Sequence, residues 1–174
     1  MCKAAFLKRL DKIESQKTAL LHRVGALPVA RLQERPVTGG WSILEIIEHM
    51  ILAEYHVFRE LPATEATRHH KRTLVNYAIY LLVLGILRFH IPVKVPAEAM
   101  RPVGTLTLDT LKDRWGKNHQ WLRTYLNSQD ARGLRRAVFT HPASGPMSTR
   151  QMLAMMEAHT DRHINQINKR LEAV

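Results

Sequence analysis

The chain has 174 residues, 45% hydrophobic and 24% charged, with a formal net charge of +11. This is long and apolar enough for one domain with its own core, and residues 1–174 read as a single unit. The one cysteine, Cys2, excludes an internal disulfide framework and a cysteine-rich metal site.

The start of the chain is basic and holds no long apolar run before the charges resume at Lys8-Arg9, so no signal peptide is expected. A reducing cytoplasm fits both this start and the single cysteine. A charge of +11 can attract nucleic acid or acidic lipid. The basic residues are dispersed, however, and are densest at Arg135-Arg136 and in Arg68-His69-His70-Lys71-Arg72. Nucleic-acid binding is therefore disfavoured against a solvated basic surface.

Residues 3–24 carry Phe6, Leu7, Leu10, Ile13, Leu20, Leu21 and Val24 in a broken helical period, and Gly25 and Pro28 end the first helix. His22, near that end, reads as a helix-terminus residue and not as a ligand. Residues 25–40, with Pro28, Pro36, Gly39 and Gly40, read as a loop. Ser42 with Glu45 three residues on is a capping box. It opens a second helix, of about residues 43–61, whose apolar arc is Ile43, Ile46, Ile47, Met50, Ile51, Val57, Phe58 and Leu61. His49 lies at the edge of that arc and suits a pocket between helices; His56 lies two turns on. Pro62 stops the helix, and residues 62–72 are polar and basic.

Residues 73–90 form a third apolar segment, uninterrupted from Tyr77 to Leu87. A membrane span needs about 20 predominantly apolar residues, and extending to 73–91 brings in Asn76, Arg88 and His90, so a transmembrane span is disfavoured without being excluded. An all-round apolar helix predicts burial on several sides, as a core or dimer-interface helix; peripheral membrane contact through 73–90 is the other expectation. Pro92, Pro96 and Pro102 forbid a regular helix in the connector that follows. Thr107 and Asp109 are alternative caps for a helix running to about Asn127, with Leu108, Leu111, Trp115, Leu122 and Leu126 as its stripe. His119 falls on this face, where a packed or hydrogen-bonded histidine is expected. Residues 128–148 read as an irregular connection.

The last helix, capped by Ser148 or Thr149, runs to about Leu171 and holds His159 and His163 one turn apart. Both lie on the face of Met152, Met156 and Ile167, so two imidazoles point inward from one apolar stripe. Such a pair can share one metal ion, although Thr160 stands where a metalloprotease helix has its glutamate. The third ligand is open on residue type alone, with His49, His56, His119 and His141 in the chain to supply it. No run of alternating strands stands out, so the fold class is all-α.

Trp41-Ser42, then His49, then a His-Pro-x-x-Gly loop (His141, Pro142, Gly145), then His159-x-x-Arg162-His163-x-x-Gln166 resembles the DinB/YfiT-like family, in matching order over nearly the whole chain. The resemblance implies an up-down four-helix bundle, here with the apolar helix of 73–90 inserted between the second and third core helices. It also implies a metal triad of one histidine from the second helix and two from the last: His49, His159 and His163. Three imidazoles accept a divalent zinc, nickel or iron ion. The implied activity is that of a metal-dependent enzyme, a thiol-dependent transferase or a hydrolase, acting on a small-molecule substrate, with a low-molecular-weight thiol as cosubstrate in the first case. A homodimer is expected. The alternative is a non-catalytic, metal- or ligand-binding dimeric bundle. Gln166 lies on the histidine side and can orient a ligand or substrate, whereas Glu157 and Asp161 point away from it.

Overall fold

The computed structural model describes residues 3–37, 39–61, 71, 73–92, 98–130, 132–141 and 144–172. Six helices and one hairpin make up the described chain: α1 (Lys3–Gly25), α2 (Val29–Gln33), α3 (Ile43–Arg59), α4 (Leu74–Arg88), α5 (Leu108–Ser128), β1 (Ala137–His141), β2 (Gly145–Ser148) and α6 (Thr149–Glu172). The protein is all-α overall, and no described helix is long and apolar enough to cross a membrane.

α1 and α3 each pack against both α5 and α6. The periodic apolar residues meet in two buried clusters. One gathers Phe6, Leu10 and Ile13 with Phe58, Leu122, Leu126, Met152 and Met156. The other gathers Leu20 and Val24 with Ile43, Ile46, Ile47, Met50, Leu111, Trp115 and Ile167. Ion pairs tie the outer edges: Glu157 of α6 takes Arg9 (3.0 Å) and Lys12 (2.5 Å) of α1, and Arg123 of α5 takes Asp11 (2.7 Å) and Glu14.

The helix starts follow local chemistry. Ser42 Oγ accepts the Glu45 N–H at 3.3 Å while the Glu45 carboxylate accepts the Ser42 N–H at 2.8 Å, closing the capping box of α3. Thr107 caps α5. Ser148 and Gln151 close a second box at the start of α6, with Oγ to N–H at 3.4 Å and Oε1 to N–H at 3.1 Å.

Three expectations are corrected. The connection 128–148 contains an antiparallel hairpin, β1 against β2, with an irregular register between Ala137 and Phe139. The loop 25–40 contains the single-turn α2, which buries Leu32. α4, expected as a core or dimer-interface helix, is not a core helix of the chain and buries only Tyr80. It lies on α6 and β2 through a narrow stripe that includes Val83, Leu84 and Leu87, and the rest of its apolar surface faces outward. Of the basic cluster at 68–72, Lys71 is exposed and the others lie outside the described residues, as does Pro142 of the His-Pro-x-x-Gly loop.

A candidate three-histidine metal site

His49 projects from the second turn of α3, and the capping box sets where that helix begins. Glu45 is buried and also pairs with Arg35 (Nε to Oε2, 2.8 Å). That guanidinium holds the Glu45 carboxyl below the usual range, so the box keeps its charge. From α6, the i, i+4 spacing delivers His159 and His163 to one face. The three rings meet where α3 packs on α6. Ring centroids are 5.3 Å apart for His49–His159, 5.0 Å for His49–His163 and 4.4 Å for His159–His163. One ligand nitrogen from each lies within 4.8 Å of the others. The His159 and His163 Nε2 atoms are 3.1 Å apart. Two imidazole nitrogens on one tetrahedral zinc stand about 3.4 Å apart, given bonds of about 2.0–2.1 Å.

The far side of two rings is fixed. His49 Nδ1 donates to the Met100 carbonyl oxygen at 2.8 Å, and His163 Nδ1 donates to Gln166 Oε1 at 2.9 Å. Both acceptors lack a proton, so each Nδ1 must carry one, and each Nε2 is left with its lone pair. The Met100 carbonyl is held in place by the segment around it. A 3-10 turn spans Glu98–Met100, and the Gly104 N–H donates to the buried carboxylate of Glu48 at 2.8 Å. Gly104 has φ +78, and a Cβ there would stand 3.0 Å from Glu45 Oε1. Only glycine lets this segment lie so close on α3.

The site also disfavours protons. Burial pushes His163 down to about 3, reinforced by His49 and Arg162 and opposed by the Gln166 hydrogen bond. Burial, then His163, His49 and Arg162, hold His159 well below the usual histidine range. His49 is lowered by burial, partly offset by the Met100 hydrogen bond. Neutral imidazoles with free lone pairs are the form that binds metal. His49 and His163 are buried and His159 is partly exposed, so access is from its side. The Trp41 ring lies 4.8 Å from the His49 ring, tilted by 44°, and walls that flank. Among the described residues no carboxylate or thiol joins the three histidines. The donor set fits one divalent ion held by three imidazoles, with positions left for other ligands.

Residues 12–167 match the DinB superfamily. The chain belongs to that superfamily. No curated protein and no solved structure matches it. His49, His159 and His163 all lie within the matched span, and they form a group that could hold a metal ion.

The other described histidines lie elsewhere. His119 is buried beside Glu54 (Nε2 to Oε1, 3.3 Å) and Glu14 (Nδ1 to Oε1, 3.6 Å), as a hydrogen-bonded core histidine. His141 Nδ1 accepts the Ser144 N–H at 3.2 Å inside the hairpin turn. His56 is half-buried against Tyr55, and His22 is exposed. Glu157 is occupied by α1 cations, and Asp161 accepts from Gln16 at 2.5 Å. Arg162 donates to the Ile91 carbonyl. Trp41 as a wall and the Met100 carbonyl as a histidine partner were not foreseen. Trp41 stood in the sequence as part of a motif, and a backbone carbonyl carries no residue-type signal.

Proposed function

We propose that this DinB superfamily protein is a metal-dependent enzyme of the thiol-dependent transferase or hydrolase type, with His49, His159 and His163 as the ligands of a zinc, nickel or iron ion. The observation that carries the reading is the pair of Nδ1 hydrogen bonds, from His49 to Met100 and from His163 to Gln166, which turn free Nε2 atoms toward one point. A purely structural site is closed by four protein ligands, whereas a catalytic one keeps a position open. When bound, such an ion supplies Lewis acidity, enough to keep a thiol ionised or to acidify a water molecule at neutral pH. Any thiol arrives as a cosubstrate, because the only cysteine of the chain is Cys2 at its start. The packing of α1, α3, α5 and α6 supports an up-down bundle, with α4 as the inserted helix.

The test is turnover by the metal-loaded protein. Small thiols paired with electrophiles, and simple esters and amides, are assayed beside the His159→Ala, His163→Ala double variant. Turnover that the variant loses supports the enzyme. Stoichiometric metal with no turnover of any of these substrates supports the alternative, a metal- or ligand-binding bundle without catalysis.

A further inference from the structure

The exposed surface of α4 has no role in the histidine site. At about 100° per residue, Leu74, Ala78, Leu82, Gly85 and Phe89 line one outward stripe, flanked by Val75, Ile79, Tyr77 and Leu81. Leu74 is 89% exposed, Val75 65%, Leu82 64% and Phe89 80%. No charged side chain interrupts the helix between Thr73 and Arg88. A contiguous apolar face of this kind marks an interaction surface. The helix is 15 residues long and no described helix can span a bilayer, so the face can only lie along a surface.

Charge decides between occupants. Residues 66–97 hold five Lys or Arg and no Asp or Glu. Lys71 precedes α4 and Arg88 closes it, and both are exposed. A second copy laid along the same face in either sense would set basic ends against basic ends, with no carboxylate in the segment to relieve them. An anionic surface complements both ends at once. The end of α4 is also held firmly. Ile91 N–H donates to the Ile86 carbonyl (3.0 Å) and His90 N–H to the Leu87 carbonyl (3.2 Å), with His90 in the left-handed region at φ 57. Asn165 of α6 meets His90 Nδ1 at 3.0 Å, and Arg162 of α6 meets the Ile91 carbonyl. The face is therefore presented by a helix anchored on the body of the protein, not by a fraying arm.

We infer that α4 docks the protein on an anionic lipid bilayer, its Leu74–Leu82–Phe89 face entering the headgroup boundary while Lys71 and Arg88 meet lipid phosphates. This does not rest on metal in the histidine site, and the two readings fail separately.

The experiment is co-sedimentation of the full chain with vesicles of phosphatidylcholine alone and of phosphatidylcholine with phosphatidylserine, at low and high salt. Binding to the anionic vesicles is expected to be at least about tenfold tighter, weakened but not abolished by salt. Arg88→Gln should lower it about fivefold, the effect of one basic residue near such a surface. The Leu74→Glu, Leu82→Glu double variant alters two exposed side chains; it should keep the circular dichroism and Tm of the parent and lose at least about tenfold in binding. Equal sedimentation with both vesicle types, binding unchanged in the double variant, or complete release by salt overturns the inference. A concentration-dependent dimer that the double variant abolishes, without vesicle binding, overturns it in favour of a second copy.

Discussion

His49 Nδ1 stands 2.8 Å from the carbonyl oxygen of Met100, a residue 51 positions further along the chain. That contact makes the histidine of α3 a one-sided ligand, because the proton it fixes on Nδ1 leaves only Nε2 to face α6. It also makes the connector after α4 part of the site. The segment is held by the Gly104 N–H to Glu48 and by the approach of Gly104 to Glu45.

Gly104→Ala should therefore act on the site from a distance. Alanine at φ +78 is strained, and its Cβ would press on the Glu45 carboxylate. A loss of about 1–3 kcal/mol in unfolding free energy is expected, from that strain and a weakened buried hydrogen bond. Metal affinity should fall with it, as the Met100 carbonyl shifts from His49. Urea unfolding and metal titration followed by tryptophan fluorescence measure the two, with Trp41 against His49 as the reporter.

Gln166 tests the same principle on α6. Gln166→Leu removes the acceptor of His163 Nδ1, and affinity is expected to drop about 10–100-fold, as for other histidine-orienting partners. Gln166→Glu keeps an acceptor and adds charge, which raises the basicity of the ligand, so it should bind metal at least as well as the parent. An equal loss in both variants would show that Gln166 acts by packing alone.

The metal-free protein should weaken in acid. In the unfolded chain His163 takes a proton near its ordinary 6.5, whereas in the folded protein burial holds it to about 3. Between those values the unfolded state binds the extra proton, so stability rises with pH across the window and is lost as pH falls below about 6.5. The slope from this residue is at most about 1.4 kcal/mol per pH unit. Chelator-treated protein, unfolded in urea from pH 7 to pH 4, should show it, and His163→Leu should flatten the curve.

His119 makes a different contribution, through the buried Glu54 carboxylate beside it. One oxygen of that carboxylate, Oε2, has no hydrogen-bond partner among the described residues. Removing the imidazole leaves Glu54 more isolated still. His119→Leu is expected to cost about 3–5 kcal/mol, while the His119→Leu, Glu54→Leu pair should recover most of it. A double-mutant cycle in chemical denaturation decides; additive losses would show that the two residues do not act as a pair.

The site was legible to the extent that its geometry is local. His159 and His163 share a face because they are four residues apart, and Ser42 with Glu45 marks the start of α3, from which His49 projects. His49 needed the family resemblance, since a lone histidine at the edge of an apolar arc has no partner nearby in sequence. The hairpin was hidden by the irregular register at Ala137–Phe139, which breaks the alternation expected of a strand, and by the glycine and prolines around Ser144. α2 is a single turn, too short to show a period. The exposure of α4 went against its composition. An apolar helix predicts burial, but α4 meets α6 and the hairpin along one stripe, and its other side is exposed among the described residues.

The central claim is that His49, His159 and His163 hold one divalent ion, and metal content tests it most directly. The protein is purified without a histidine tag and measured by elemental mass spectrometry beside the His159→Ala, His163→Ala double variant. Near-stoichiometric zinc, nickel or iron in the parent, lost in a double variant that still folds, is the expected result. A parent that carries no metal, even after reconstitution with each of the three ions, would contradict the account and leave the histidines as buried packing between α3 and α6.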